Sequence, residues 1–217
     1  MPHRTWIKMC GMTRVEDAVA ASGAGTDAVG FVFAQSPRRT TPAVARSMGR
    51  ELLPHILRFG VFVDEAPAEI ARIVEEAEID RVQLHGFEEP MVREVIGTRV
   101  VKAFRVVDES VLPEIRAWSP DFFFLDSFSP HAAGGTGTKF DWNIARQARE
   151  LGNLVLAGGL TPENVGEAIR EVRPFGVDVS SGIEESPGRK DPQRIRAFVE
   201  AVSEADHELS SKERMTG

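Results

Sequence analysis

Two side chains that can transfer protons stand at the ends of predicted β-strands. Cys10 is the only cysteine of the chain and follows the strand WIKM, and Asp126 ends the very apolar strand DFFFLD. Because side chains alternate along a strand, Lys8 and Cys10 are expected to face the same way, and a nearby ammonium lowers the pKa of a thiol. Apolar surroundings disfavour the charged form of a carboxyl group, which suits a general acid near neutral pH. Cys10 and Asp126 are therefore the candidate general base and general acid.

Both residues also have a purely structural interpretation. A free cysteine is commonly a small buried hydrophobe, and an aspartate at a strand end often caps a helix or accepts a bond from a loop amide. The position of Cys10 at the C-terminal end of a strand favours chemistry over packing. For Asp126 the two interpretations stay balanced until other motifs are weighed.

Three glycine-rich segments follow later strands and are candidate phosphate sites. Glycines let the backbone approach an anion closely, and the free N–H groups of helix N-termini attract phosphate. A tight turn explains each segment taken singly, but their joint placement after neighbouring strands favours phosphate binding. The candidate phosphate-binding residues are Gly135, Gly158, Gly159, Ser180, Ser181 and Gly182.

Further polar side chains are expected to line the same mouth as a substrate-binding set. Gln83 and His85 share one face of the fourth strand, although a single histidine at a strand end is more often structural. Arg38 and Arg39 follow the second strand, where an exposed arginine pair is usually a solvated surface feature. The candidate substrate-binding residues are Lys8, Arg38, Gln83, His85 and Asp178.

The elements that must position these residues alternate along the chain, as in a parallel sheet with crossover helices. The predicted strands are WIKM, DAVGFVF, ILRFGVFV, RVQLHG, RVVKAF, DFFFLD, NLVLAG and GVDVSS. Helical periodicity lies near residues 13–23, 42–53, 67–78, 88–97, 110–118, 141–151, 161–172 and 192–206, with a proline near the start of four of these segments, at Pro42, Pro67, Pro162 and Pro192. Eight such units without a flexible linker predict an α/β fold, a single (β/α)₈ TIM barrel with eight parallel strands.

Length, charge and composition bound the remaining choices. The barrel is expected to span residues 1–207, and the polar segment 208–217 is expected to be frayed because it lacks apolar periodicity. The net charge of -7 disfavours nucleic acid or an anionic membrane as partner, although a local cationic pocket for a small anion is compatible with it. With no secretion signal and no run of about 18 apolar residues, we expect a cytoplasmic protein. A lone cysteine excludes an internal disulfide and a four-cysteine zinc site.

Taken together, the motifs at nearly every strand end resemble those of the phosphoribosylanthranilate isomerase family of tryptophan biosynthesis. The resemblance runs from about residue 6 to residue 200, with the motifs in the same order. Met9 and Met12 depart from the isoleucines common in the family, and neither replaces a reactive group. The motifs are KMCGMT (8–13), AVGFVF (28–33), SPR (36–38), GVFV (60–63), VQLHG (82–86), GGTG (134–137), LAGGL (156–160) and GVDVSSGIE (176–184).

The resemblance implies an Amadori rearrangement of N-(5′-phosphoribosyl)anthranilate to 1-(2-carboxyphenylamino)-1-deoxyribulose 5-phosphate. In that scheme Asp126 protonates the ring oxygen, the ring opens to a Schiff base, and Cys10 removes the C2 proton. Arg38 would hold the anthranilate carboxylate, and the loops after strands six, seven and eight would hold the phosphate. The resemblance implies no cofactor and no metal. The partner would be a small phosphosugar substrate, and the protein a monomer or a homodimer.

Barrels of this kind host many reactions, so three alternatives were weighed. A phosphosugar isomerase of histidine biosynthesis is expected to have two aspartates in the catalytic roles. Cys10 at the end of the first strand therefore disfavours this alternative. An indole-3-glycerol-phosphate synthase has an N-terminal extension, whereas about five residues precede the first strand here. A non-enzymatic phosphosugar-binding barrel predicts loss of one or both acid–base groups, and both are present.

Overall fold

A computed structural model describes residues 4–97, 99–126 and 142–216 and shows a closed barrel. Eight parallel strands pair in chain order, and the last pairs back to the first. This arrangement confirms the predicted (β/α)₈ barrel. The strands are β1 (Trp6–Cys10), β2 (Ala28–Val32), β3 (Leu57–Phe62), β4 (Arg81–Leu84), β5 (Val100–Arg105), β6 (Phe122–Asp126), β7 (Asn153–Ala157) and β8 (Gly176–Val179).

Helices follow the strands, and α2, α3 and α8 begin at their predicted prolines. The seventh helix begins at Val165, three residues after Pro162, because the Asn164 side chain accepts the N–H of Thr161 in a turn that precedes it (2.8 Å). None of the described helices is both long and apolar enough to span a membrane. The helices are α1 (Val15–Ala24), α2 (Pro42–Arg50), α3 (Pro67–Glu76), α4 (Val92–Ile96), α5 (Val111–Trp118), α6 (Trp142–Arg149), α7 (Val165–Val172) and α8 (Pro192–Thr216).

A short antiparallel hairpin after β8 was not predicted from the sequence. It consists of β9 (Glu184–Ser186) and β10 (Arg189–Lys190) and follows a 3₁₀ turn. Several hydrogen bonds fix it to the rest of the barrel, among them those from the backbone N–H of Lys190 to Asp17 of α1 (3.0 Å) and from the Thr13 hydroxyl to the Gly188 carbonyl. The hairpin is therefore held against the loop that follows β1.

The barrel interior is filled by apolar side chains at alternate strand positions, as expected for a packed barrel core. A separate, larger apolar cluster packs the strands against the helices. On β1, β4, β6 and β8 the positions that continue the inward alternation toward the C-terminal ends are polar, at Lys8, Gln83, Asp126 and Asp178. The inner cluster is Ala28, Phe59, Val101, Ala103, Phe124 and Val155.

The C-terminal segment differs from the sequence expectation. Residues from Glu208 onward were expected to be frayed, but α8 continues to Thr216. Leu209 is buried in the main core, together with Val202 and Ala205 of the same helix. These three apolar positions recur at helical spacing, so one face of α8 is buried although the segment as a whole is polar.

Leu209→Ala should therefore lower the free energy of unfolding by about 2–5 kcal/mol, because truncation of a buried leucine loses apolar burial and leaves a cavity. Leu53 is 49% exposed and provides the matched control, since Leu53→Ala should change the free energy of unfolding by less than about 0.5 kcal/mol. Urea denaturation of both variants makes the comparison. If the two variants unfolded alike, the last turns of α8 would not be docked in solution.

Candidate active site

Cys10 is the last residue of β1 and lies buried at the C-terminal mouth of the barrel. Its register partner on β2 is Gly30. A Cβ atom at Gly30 would lie 2.7 Å from Sγ of Cys10 and 3.2 Å from Nζ of Lys8. The thiol and the ammonium therefore border the same small space, which only a glycine on β2 leaves open.

Lys8 is fully buried beneath Cys10, and its ammonium forms an ion pair inside the barrel. Nζ lies 3.1 Å from each carboxylate oxygen of Asp178 on β8 and 4.9 Å from the ring centre of Phe124. Burial opposes the positive charge, but the Asp178 carboxylate and the Cys10 side chain outweigh it and raise the pKa of Lys8 above its ordinary value. Lys8 and Asp178, both expected to bind substrate, thus bind each other in this structure.

The pKa of Cys10 shifts in the direction opposite to the sequence expectation. Burial raises the pKa of the Cys10 thiol above its ordinary value, and the opposing effects of Lys8 and Lys190 do not overcome it. Asp178 contributes in the same direction as burial because its negative charge disfavours a thiolate nearby. Lys8 does lower the pKa of the thiol, as expected, but the expected net decrease was wrong, since strand alternation shows neither the depth of burial nor the carboxylate across the barrel.

Asp126 ends β6, and its side chain is 14% exposed beside His85. Nε2 of His85 lies 3.0 Å from a carboxylate oxygen of Asp126, although the imidazole is not aligned for a hydrogen bond. The Asp178 carboxylate interacts electrostatically with Asp126 and His85 as well as with Lys8. Asp178 is therefore the charge that links the Cys10 side of the mouth to the Asp126 side.

Gln83 has a buried amide oxygen that, within the described part of the chain, accepts no hydrogen bond. It lies on β4 two residues before His85, and only 2% of it is exposed. Leaving a buried acceptor unsatisfied costs about 1–3 kcal/mol, so such an atom is suited to a polar group of a ligand or to water.

Arg38 lies after β2, and its guanidinium binds the carboxylate of Glu184, a residue that was not among the predicted site residues. Its Nε and Nη2 donate to the two oxygens of Glu184 at 2.7 and 2.6 Å. Lys190 donates to the same carboxylate at 2.9 Å. Glu184 belongs to the GVDVSSGIE motif, but it stands 146 residues from Arg38, and no spacing rule connects them.

The candidate phosphate loops after β7 and β8 lie against each other. A Cβ atom at Gly182 would approach the Leu160 carbonyl oxygen to 1.9 Å, so the two loops pack backbone to backbone. The Ser180 hydroxyl donates to the Cys10 carbonyl at 3.1 Å, and Ser181 begins the 3₁₀ turn. Gly158 and Gly159 follow β7 directly, and a Cβ atom at Gly159 would meet no atom within 4 Å. Gly135 lies outside the described residues.

A cavity of about 560 Å³ lies at the opposite, N-terminal end of the barrel. It is lined mainly by apolar and aromatic side chains, among them Trp6, Phe122 and Phe175. It contains none of the candidate proton-transfer residues, and active sites of this fold lie at the C-terminal ends of the strands. The mouth around Cys10 and Asp126 is therefore the candidate active site.

Comparison with known proteins points to one family. Residues 7–201 match the family described as N-(5′-phosphoribosyl)anthranilate (PRA) isomerase. A protein of that name from Pelobacter propionicus is 47% identical over 203 residues, which cover 93% of this chain and 97% of the relative. The crystal structure of phosphoribosyl anthranilate isomerase from Thermotoga maritima is similar with a TM-score of 0.86 and 41% identity, over 92% of this chain and 99% of that one. A crystal structure of the isomerase in complex with reduced 1-(o-carboxyphenylamino)-1-deoxyribulose 5-phosphate has a TM-score of 0.83 and 39% identity, over the same shares.

The raised pKa of the thiol predicts slow alkylation of the native protein at neutral pH. Because Cys10 is the only cysteine, iodoacetamide reports on this thiol alone. The alkylation rate of the native protein should keep rising with pH beyond about 8.5, the pKa of a free thiol, because only the thiolate reacts. The same chain unfolded in urea is the control and should titrate near that value. An apparent pKa lower in the native than in the unfolded protein would show that Lys8 outweighs burial.

Proposed function

Because this chain belongs to the N-(5′-phosphoribosyl)anthranilate isomerase family of tryptophan biosynthesis, we propose that it rearranges N-(5′-phosphoribosyl)anthranilate to 1-(2-carboxyphenylamino)-1-deoxyribulose 5-phosphate. The observation that carries the proposal is the position of Cys10 and Asp126 on two sides of the Asp178 carboxylate in one mouth. The structural relative that holds a reduced form of this product supports the choice of substrate. The partner is a small phosphosugar, and the protein acts as a monomer or a homodimer.

Ring opening is assigned to Asp126. Its carboxyl group gives a proton to the furanose ring oxygen, the C1–O bond breaks, and the nitrogen lone pair forms the C1–N double bond of a Schiff base. A positioned proton donor of this kind contributes about 10²- to 10⁴-fold to a rate. His85, 3.0 Å from the carboxylate, is suited to stabilise the negative charge left on Asp126.

Proton abstraction is assigned to Cys10. The thiolate takes the C2 proton, and the C–H electrons form a C1–C2 double bond while the Schiff-base electrons return to nitrogen. The resulting enolamine becomes the ketone when a proton adds to C1, the hydroxyl group on C2 loses its proton, and the C2–O bond becomes a double bond. Because burial raises the pKa of Cys10, the thiolate depends on the nearby ammonium groups of Lys8 and Lys190. No step of this scheme requires a metal or a cofactor.

Substrate binding is assigned to the remaining polar groups of the mouth. Arg38 takes the anthranilate carboxylate, since a guanidinium binds a carboxylate through two parallel N–H bonds. The unsatisfied amide oxygen of Gln83 is suited to a ribose hydroxyl. The adjoining loops with Gly159 and Gly182 offer backbone N–H groups to the phosphate. The direct experiment is a fluorescence assay of phosphoribosylanthranilate turnover by the purified protein, and binding without turnover would favour a non-enzymatic barrel.

Asp126→Asn should lower kcat by about 10²- to 10⁴-fold with little change in KM, because it removes only the transferable proton. Cys10→Ala should lower kcat by a similar factor. Asp121→Asn is the control, because Asp121 precedes the opposite end of the same strand and lines the N-terminal cavity. Steady-state kinetics of the three variants decide the roles. A normal kcat in Asp126→Asn would leave ring opening without its donor, and a normal kcat in Cys10→Ala would return the thiol to a packing role.

Gly159→Ala should raise KM by about tenfold or more, since a methyl group would occupy the space assigned to the phosphate and remove hydrogen bonds worth about 1.5–3 kcal/mol. Gly25→Ala is the matched control. Both glycines have a left-handed backbone (φ +65° and +99°) and open space at Cβ, but Gly25 caps α1 at the other end of the barrel. Competition by inorganic phosphate should weaken only in the Gly159 variant. Equal KM values in the two variants would remove the loop after β7 from the phosphate site.

A further inference from the structure

The Glu184 carboxylate lies between two cations at the rim of the mouth. Its side chain is 5% exposed, and it accepts two hydrogen bonds from Arg38 and one from Lys190. The pair with Arg38 is side-on, through Nε and Nη2, and both distances are below 2.8 Å. Such two-bond pairs fix the orientation of a guanidinium as well as contributing binding energy.

The side-on pair leaves one edge of the Arg38 guanidinium for a second carboxylate. A guanidinium carries five N–H donors, and Glu184 uses one on Nε and one on Nη2. Within the described part of the chain, no hydrogen bond uses the edge formed by Nη1 and the second hydrogen of Nη2. The Arg38 side chain is 24% exposed, and its stem crosses the end of β1 where a Cβ atom at Gly11 would lie 2.6 Å from Cδ. The Arg38 stem therefore lies against the residue that follows Cys10, and its guanidinium interacts electrostatically with Cys10.

The cluster keeps a net positive charge because Lys190 accompanies the arginine. Burial opposes ionisation of Glu184, but hydrogen bonds from Arg38 and Lys190 outweigh it and hold the pKa of the Glu184 carboxyl below its ordinary value. Arg38 and Glu184 alone would form a neutral pair with little attraction for an anion. With the Lys190 ammonium the three side chains carry one net positive charge, which suits a substrate carboxylate.

Glu184 is itself held in place by the hairpin. The backbone N–H of Gly188 donates to its carboxylate at 3.3 Å. The Lys190 ammonium also donates to the Ser180 carbonyl at 3.1 Å, and the Lys190 backbone is bonded to Asp17 of α1. The carboxylate therefore has fixed support on both sides, so the guanidinium it binds is fixed before substrate arrives.

We propose that Glu184 and Lys190 are positioning residues for the carboxylate of the substrate. Glu184 orients Arg38 so that the outer edge of the guanidinium faces the aromatic acid, and Lys190 supplies the charge that Glu184 would otherwise cancel. The inference rests on the proposed function, in that Arg38 is the group that contacts the anthranilate carboxylate. It assigns a purpose to the β9–β10 hairpin, which brings both residues to the mouth.

The test compares two substrates, N-(5′-phosphoribosyl)anthranilate and the aniline analogue that lacks the carboxylate. Arg38→Met should lower kcat/KM for the first by about 10- to 150-fold and leave the analogue nearly unchanged. Glu184→Gln should show the same selectivity with a smaller loss, about tenfold, because the guanidinium remains but loses its fixed orientation. Lys190→Met should also act selectively. A purely structural role would lower kcat/KM for both substrates equally.

Glu185→Gln is the matched control on the same hairpin. Glu185 is 55% exposed and pairs only with the exposed Arg189 among the described residues, so both substrates should be turned over at the wild-type rate. Thermal unfolding of each variant verifies the fold. If Glu184→Gln does not fold, Glu184→Asp replaces it, because the shorter side chain keeps the charge but cannot maintain the side-on pair.

The outcomes separate this inference from the proposed function. Equal losses on both substrates in Arg38→Met would overturn the role of Arg38 and this inference with it. Arg38→Met could lower kcat/KM for the carboxylate substrate alone while Glu184→Gln lowers it for both substrates or for neither. That result would overturn only the positioning role. A Glu184→Gln that strengthens capture of the carboxylate substrate would show that Glu184 competes with the substrate for Arg38, which also overturns the inference.

Discussion

The buried ion pair between Lys8 and Asp178 is the interaction on which the mouth of the barrel depends. It joins β1 to β8 inside the barrel, where the ring of strands closes, and it lies directly beneath Cys10. Removing one partner of such a pair costs about 3–5 kcal/mol, because the other charge stays buried and uncompensated. The pair also means that Lys8 cannot act on the thiol as a free cation, since Asp178 offsets its charge.

As a result, the charges of the site cancel deep in the barrel and sum to a positive charge at the rim. Lys8 and Asp178 cancel below Cys10, whereas Arg38 and Lys190 outnumber Glu184 above it. A chain with a net charge of -7 thereby presents a local cationic surface to an anionic substrate. The proposed function assigns the phosphate of the substrate to the glycine loops after β7 and β8 and its carboxylate to the Arg38 guanidinium after β2.

The fold could be predicted because apolar residues recur at different spacings in strands and in helices, and because prolines lie near the starts of several helices. The hairpin could not be predicted, since its strands are two and three residues long and mostly polar. The polar end of α8 contributes Leu209 to a buried face that begins earlier in the helix, at Val202 and Ala205, and a single leucine gives no periodicity to read. Strand-end position identified Cys10 and Asp126 as candidates, but the contacts of Arg38 with Glu184 and of Lys8 with Asp178 join residues more than 140 positions apart. The raised pKa of Cys10 follows from burial and from the Asp178 carboxylate, neither of which the spacing of Lys8 and Cys10 shows, so the net direction of the shift could not be predicted.

In the proposed reaction Asp126 opens the ring and Cys10 then removes the C2 proton. A substrate carrying deuterium at C2, followed by fluorescence in single turnovers of the purified protein, tests it most directly. We expect a primary isotope effect in the wild type. It should grow in Cys10→Ser, because proton abstraction becomes slower there. It should shrink in Asp126→Asn, because ring opening then limits the rate. The same isotope effect in the wild type and in both variants would contradict the division of roles, and turnover without any isotope effect in Cys10→Ser would remove Cys10 from the proton transfer.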